Sequence, residues 1–179
     1  MDKTLIRGRL WVLTDKAGRL IEDIDTDQIY HNAHLHVTEL GPMGAHALGN
    51  LEGWKDFPKK ARPGDILAAG RNFGAGSSRQ QAVDCFIALG VAAVLAPSFS
   101  AIYFRNAVNS GFAAIRVPDL RRLAVEGYLK SEDKISVNLV TGEALDVTQG
   151  RGFLVEPMSA VQLAIYQAGD LFHYGAGPR

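Results

Sequence analysis

The sequence predicts an α/β fold, and three features carry that reading. A short apolar run at Asp65 to Ala69 leads through glycines into Val83 to Leu89, which has helical spacing. A second run, Val91 to Ala96, is apolar throughout and leads into a helix-like stretch and a third run, Phe112 to Val117. From Lys134 onward the texture changes to short strands separated by turn residues. Alternating strands and helices with a β-rich end, and no linker or internal repeat, predict one domain over 1–179 with its own core.

Leu5 to Leu13 reads as the first strand, with Gly8 as a bulge, and Asp15 to Gly18 as a turn. Asp23, Asp25 and Asp27 alternate. On a strand they would share one face; otherwise the stretch is a solvated loop with a helix N-cap at Thr26 or Asp27. The glycine and distal glutamate of a calcium loop are missing. Tyr30 to Leu40 holds His31, His34 and His36; the first two could share a helix face, but zinc needs a further ligand there. A polar loop at the mouth of a cleft is the reading adopted. Gly41 to Gly64, rich in Gly, Pro and Lys, reads as a mobile surface excursion with a short helix at Leu51 to Phe57.

Ser98 is the expected N-cap of the helix that ends before Gly111, and Asp119 to Gly127 is a short helix behind Pro118. Ile135 to Val140 and Ala144 to Val147 form a hairpin around Thr141-Gly142-Glu143, followed by Gly152 to Val155. Ser159 to Ala168 is amphipathic, with Val161, Leu163, Ala164 and Ile165 as its stripe, and Gly175 to Arg179 reads as frayed.

Nineteen basic and nineteen acidic residues cancel, so charge gives no argument for nucleic acid as a partner. No apolar run approaches a bilayer span, and Met1 to Thr4 does not open a signal peptide, so the expected compartment is cytoplasmic with no membrane partner. Cys85 stands alone. It cannot form an internal disulfide, and an iron–sulfur cluster needs about three or four thiolates. It reads as a core residue, and no metal ligand set is assigned to this chain.

The chemistry concentrates at Arg71 to Ala82, Arg-Asn-Phe-Gly-Ala-Gly-Ser-Ser-Arg-Gln-Gln-Ala. Gly74 and Gly76 permit tight turns and a ligand's close approach, Ser77 or Ser78 can cap the helix that follows, and Arg79 adds a fork of donors for a carboxylate or phosphate. A dinucleotide loop wants a glycine where Arg79 stands, a phosphate loop wants Gly-Lys-Ser/Thr, and a nucleophile elbow wants Gly-x-Ser-x-Gly; none of these is present. What remains is a small-anion site containing two hydroxyls. A serine there serves either as a cap or as a proton-transfer group whose alkoxide the nearby donors stabilise.

Three blocks in one order resemble a known family: Asp23-Ile24-Asp25-Thr26-Asp27-Gln28-Ile29, Asn72-Phe73-Gly74-Ala75-Gly76-Ser77-Ser78-Arg79, and Ala96-Pro97-Ser98-Phe99-Ser100-Ala101-Ile102-Tyr103-Phe104-Arg105-Asn106-Ala107. Together with the closing Ala168-Gly169-Asp170-Leu171, they resemble the 3-isopropylmalate dehydratase small subunits, the homoaconitase small subunits and the swivelling C-terminal domain of aconitase. The resemblance implies a three-layer β/β/α swivelling domain. It implies a hydro-lyase that moves a hydroxyl between adjacent carbons of a hydroxy acid, most directly isopropylmalate in leucine biosynthesis. It also implies a separate large subunit carrying a [4Fe–4S] cluster, none of it bound by this chain; self-association is left open.

By position, Ser77 would be the base that removes the carbon-bound proton, and Ser78 and Arg79, with Gly76, would hold a substrate carboxylate. Asp25, Thr26 and Asp27 would line the cleft. Ala75 and the pair Gln80-Gln81 depart from the family's usual residues. So does His34-Leu35-His36-Val37, where relatives carry the segment that senses the substrate's variable side group. Those histidines suggest a more polar side group, as in an aconitase-type or homoaconitase-type acid. The rival from another class is a non-catalytic domain using the same anion site for regulation or assembly.

Overall fold

In a computed structural model, which describes residues 3–176, the chain is built around one strand that belongs to two half-sheets. Strand β1 (Leu5–Val12) pairs through Leu10 to Val12 with β2 (Ile66–Ala68) in parallel, and through Leu5 to Arg9 with β5 (Lys134–Asn138) antiparallel. On the parallel side β2 is followed outward by β3 (Ala93–Ala96) and β4 (Ala113–Arg116); on the other side β5 is followed by β6 (Glu143–Asp146) and β7 (Arg151–Leu154). The order across the seven strands is therefore β4-β3-β2-β1-β5-β6-β7.

The period-two alternation of the parallel strands sorts their side chains between two cores. Trp11, Leu67, Val94 and Ala114 face one, with α1 (Thr26–Ile29), α2 (Leu40–Met43), α3 (Phe57–Lys60), α4 (Gln81–Ala88) and α5 (Ala101–Asn109) around it. Leu10, Ile66, Leu95 and Ile115 face the other, where α6 (Leu120–Val125) and the inward residues Ile135, Val137, Ala144 and Phe153 of the antiparallel strands close over them. Helices, parallel strands and antiparallel strands thus make the expected β/β/α layers. Helix α7 (Ala160–Ala168), with a Ser159–Gln162 capping box, and α8 (Leu171–Gly175) end the described chain.

Several sequence expectations shift. Gly8 is no bulge: its register with Ile135 is unbroken, and its bare Cα admits the Gly64 carbonyl, which an added Cβ would meet at 1.9 Å. The segment 41–64 is not a mobile excursion, because Met43, Ala47, Leu48, Leu51 and Phe57 are buried in the first core. Its helix begins at Phe57, and Leu51 to Asp56 is a series of turns. Ser100, not Ser98, caps α5, and the Ser98 hydroxyl instead accepts from the Asn72 amide. Val161 faces outward while Ile165 is buried. Gly175 closes α8, and residues 177–179 of the tail read as frayed lie outside the described residues.

Candidate active site at the carboxyl ends of the parallel strands

The segments that leave β1, β2 and β3 at their carboxyl ends run side by side, as ligand-binding segments of open α/β sheets do. Isolated parallel bridges link Asp25 with Ala75 and Phe73 with Phe99, so the three predicted sequence blocks become neighbours. The serine loop is pinned from both sides. The amides of Gly74 and Ala75 donate to the Ile24 carbonyl, Thr26 N–H donates to the Ala75 carbonyl at 2.8 Å, and the Ser100 hydroxyl donates to the Gly74 carbonyl.

Gly74 adopts φ 78°, and an added Cβ would lie 2.2 Å from the Tyr103 ring, so the aromatic sits where any other residue's side chain would go. Asn72 is also left-handed, at φ 54°, and its side-chain amide donates to Asp23 at 2.9 Å. That pair fixes the entry to the loop.

The carboxylates of 23–27 do not share a strand face, because the stretch turns into α1. Asp25, rather than Thr26 or Asp27, is the N-cap, in a capping box with Gln28. Thr26 is buried, and its hydroxyl donates to the Ser77 carbonyl at 3.0 Å. Asp27 is a junction: one oxygen accepts from Arg79 Nη1 at 2.9 Å and from the Asn32 amide, the other from Asn50 Nδ2 at 3.0 Å. The Arg79 hydrogen bond, with the Asn32 amide and the nearby His31, holds its carboxyl below the usual range against the opposing effect of burial.

Arg79 Nη1 also donates to the main-chain carbonyls of Tyr30, at 2.6 Å, and Thr26, at 3.4 Å. Its side chain is only 11% exposed, and all its hydrogen bonds to described residues run through that one nitrogen. The guanidinium therefore anchors the end of α1 with one corner and leaves Nη2 and Nε for another acceptor.

Ser77 and Ser78 are exposed on the crest of this framework, together with Gly76. Neither serine caps α4, whose N-cap is Gln80 without a side-chain bond; the Gln80 amide reaches Asp84 and Ser110 instead, both at 2.8 Å. Asn106 Nδ2 lies 3.5 Å from the Ser78 hydroxyl, a long contact. Among the described residues, the hollows of about 510, 390 and 520 Å³ are lined by residues other than 76–79, and the loop is exposed.

The histidines gather behind Arg79. His34 and His46 stack with ring centres 3.8 Å apart, while Leu35 and His36 are exposed and Val37 packs partly against the core. Among the described residues no group of His, Cys, Asp or Glu side chains is disposed to hold a metal ion. Cys85 is fully buried, and burial pushes its thiol well above the usual value. Asn50, Asn72, Asn106 and His46 escaped the sequence reading. Asn72 and Asn106 lay inside recognised blocks but were given no role; Asn50 and His46 reach Asp27 and Tyr30 from the far side of the 31–46 segment, a pairing no local pattern signals.

A family model, described as the aconitase C-terminal domain, matches residues 43–120, which include the whole serine loop and α5. That places the fold and the loop in the aconitase class. Curated relatives extend the match to nearly the whole chain. The 3-isopropylmalate dehydratase small subunit of Pyrobaculum neutrophilum is 39% identical over 169 residues, 94% of this chain and 95% of its own. That of Caldicellulosiruptor bescii is 35% identical over 166 residues, 93% and 96% of the two chains. The crystal structure of 3-isopropylmalate dehydratase from Methanocaldococcus jannaschii superposes with a TM-score of 0.82 at 30% identity, covering 96% of this chain and 93% of that one. The chain belongs to the 3-isopropylmalate dehydratase small-subunit family.

Proposed function

We propose that this chain supplies half of the active site of a hydro-lyase acting on 3-isopropylmalate in leucine biosynthesis, in the cytoplasm. The observation that carries the proposal is the exposed Ser77-Ser78 pair, held on a braced loop beside a guanidinium with donors to spare. Ser77 takes the carbon-bound proton of the hydroxy acid. Ser78, Arg79 and the Gly76 backbone hold a carboxylate, Arg79 through the corner that α1 leaves free. Asp25, Thr26 and Asp27 act from behind, by fixing α1 and the Ser77 backbone.

The chain's donor set does not fit an iron–sulfur cluster, because its one thiol is buried in the core. The [4Fe–4S] cluster, and with it the Lewis-acid chemistry at the leaving hydroxyl, is assigned to a large partner subunit that docks over the serine crest. The names of the relatives favour isopropylmalate over a tricarboxylic acid, against the histidine expectation of a more polar side group; in the specificity segment His34 stacks on His46 while Leu35 and His36 are exposed.

The test is Ser77→Ala in the complex reconstituted with a cluster-bearing large subunit. Turnover of isopropylmalate falls by about 10²- to 10⁴-fold, the worth of a positioned general base, while the subunits still associate. Turnover within a few-fold of the unaltered complex would overturn the assignment.

A further inference from the structure

Four of the chain's five histidines converge on one side of the Arg79 anchor. His34 lies face to face with His46, 3.8 Å between ring centres and 16° between planes, with His31 at 6.3 Å and His36 at 6.5 Å. Tyr30 packs edge-on to both stacked rings, and its hydroxyl donates to the His34 carbonyl at 3.1 Å. The main-chain carbonyl of the same Tyr30 is the short acceptor for Arg79 Nη1. A second link runs through His31, whose Nε2 is 3.9 Å from Asp27, Arg79's other main partner. The imidazole cluster is thus joined to the guanidinium by two short routes.

We propose that the His34–His46 stack is a proton-operated positioning element: with neutral rings it keeps the Tyr30 carbonyl seated on Arg79, and protonation parts the rings and loosens that seat. Two neutral imidazoles stack favourably, whereas two imidazolium ions face to face at this distance repel. The proposal rests on Arg79 as the carboxylate-holding residue of the site proposed above.

Among the described residues no carboxylate is paired with His34 or His46. His31 and His36 are cationic when protonated, Tyr30 is neutral, and Asp27 is already held by Arg79. On the packed elements beyond, Asp84 of α4 bonds to Gln80, Cys85 is a buried neutral thiol, Asp56 is paired with Lys60 at α3, and Lys59 adds positive charge. Glu39, before α2, is exposed and makes no side-chain cap. Burial first, and then the three neighbouring imidazoles, hold His34 below its usual value. The sign follows: His34 binds its proton less readily in the folded chain than in the unfolded one. Its contribution is complete above about 6.5 and is lost as pH falls through the lower folded value.

The test compares KM for isopropylmalate across about pH 5.5 to 8 in the reconstituted two-subunit enzyme carrying His34 or His34→Phe, which keeps a ring in the stack without its charge. As pH falls, KM of the unaltered enzyme should rise relative to the variant by up to about tenfold, the worth of one hydrogen bond to a charged group. A constant ratio would overturn the proposal. His34→Gln carries the same expectation should the phenylalanine variant fold poorly.

A second arm needs neither substrate nor variant. In NMR of the full chain alone, the Arg79 Nε–H signal should move with the same midpoint as the His34 ring; an Arg79 signal that stays still while His34 titrates would equally overturn it. If the complex turns over no isopropylmalate at all, the functional reading fails, and this arm still decides the fate of the latch.

Discussion

At the scale of single residues, the proposed site depends on positions that also hold the loop and α1 in place. Arg79→Lys keeps the charge but loses the planar fork that grips Tyr30, Thr26 and Asp27 from one nitrogen while presenting donors on its other edge. KM for isopropylmalate should rise by about tenfold or more, and the helix α1 amides should lose hydrogen-exchange protection. Gly74→Ala is the harsher change. It forces a Cβ into the Tyr103 ring at a left-handed backbone, so urea unfolding should register a loss of about 3 kcal/mol or more. The exposed Ser77 and Ser78 hydroxyls, by contrast, contribute little to folding, and Ser78→Ala should leave the free energy of urea unfolding within about 0.5 kcal/mol of the original.

At the scale of elements, legibility in the sequence tracked how local the signal was. The strands around 5–13, 65–69, 91–96 and 112–117 were readable because apolar runs bounded by Gly, Pro and Asp are local features, and the structure shortens them by a residue or two. The caps were misread. Ser77, Ser78 and Ser98 are all competent capping residues, but parallel bridges to neighbouring segments claim the backbone around them, and the helices start two or three residues later. The segment 41–64 was misread for the opposite reason: its Gly and Pro mark turns correctly, yet those turns lie over the first core and bury Leu48, Leu51 and Phe57.

Within the candidate site, the blocks that come together were legible, and the long-range hydrogen bonds between them were not. Thr26 and Asp27, expected to line the cleft, also hydrogen-bond to the Ser77 carbonyl and to Arg79 across some fifty residues, which no local pattern signals.

A buried ion pair ties these elements to the sheet. Asp65, at the start of β2, is 2% exposed and accepts from Arg9 through both oxygens, from Trp11 Nε1 at 2.8 Å and from the Arg62 amide. Burial alone would raise its pKa, but these donors more than offset that and hold it below the usual value. Its contribution is therefore present above the unfolded carboxylate range near 3.9 and is lost as pH falls through the lower folded value. Asp65→Asn should reduce stability by about 2 kcal/mol at neutral pH and flatten the acid limb of the stability profile, measured by urea unfolding at a series of pH values.

At the scale of the whole molecule, the proposed site lies on an exposed loop of this chain. The hollows of about 510 and 520 Å³ lie elsewhere, one between the 15–22 turn and α6, the other over β1, β5 and β6. A carboxylate resting on the serine crest alone stays hydrated on its open side, where a single guanidinium is worth little. Isothermal titration should therefore find isopropylmalate binding to the isolated chain weaker than about 1 mM, and micromolar binding only with the large subunit present. Comparable affinity with and without the partner would contradict the division of the site between two chains.

The shared strand β1 also sets a schedule for the chain's own making. Its amino half, Leu5 to Arg9, leaves the ribosome well before its partner β5, which begins only at Lys134. For most of translation, Ile6 and its neighbours present an unpaired edge beside an unfinished second core. The parallel strands can gather early around Leu10 to Val12, but the domain cannot close until the β5–β6 hairpin arrives. A stall or truncation before that hairpin would leave a nascent chain holding every residue of the serine crest, competent in sequence and sticky in practice.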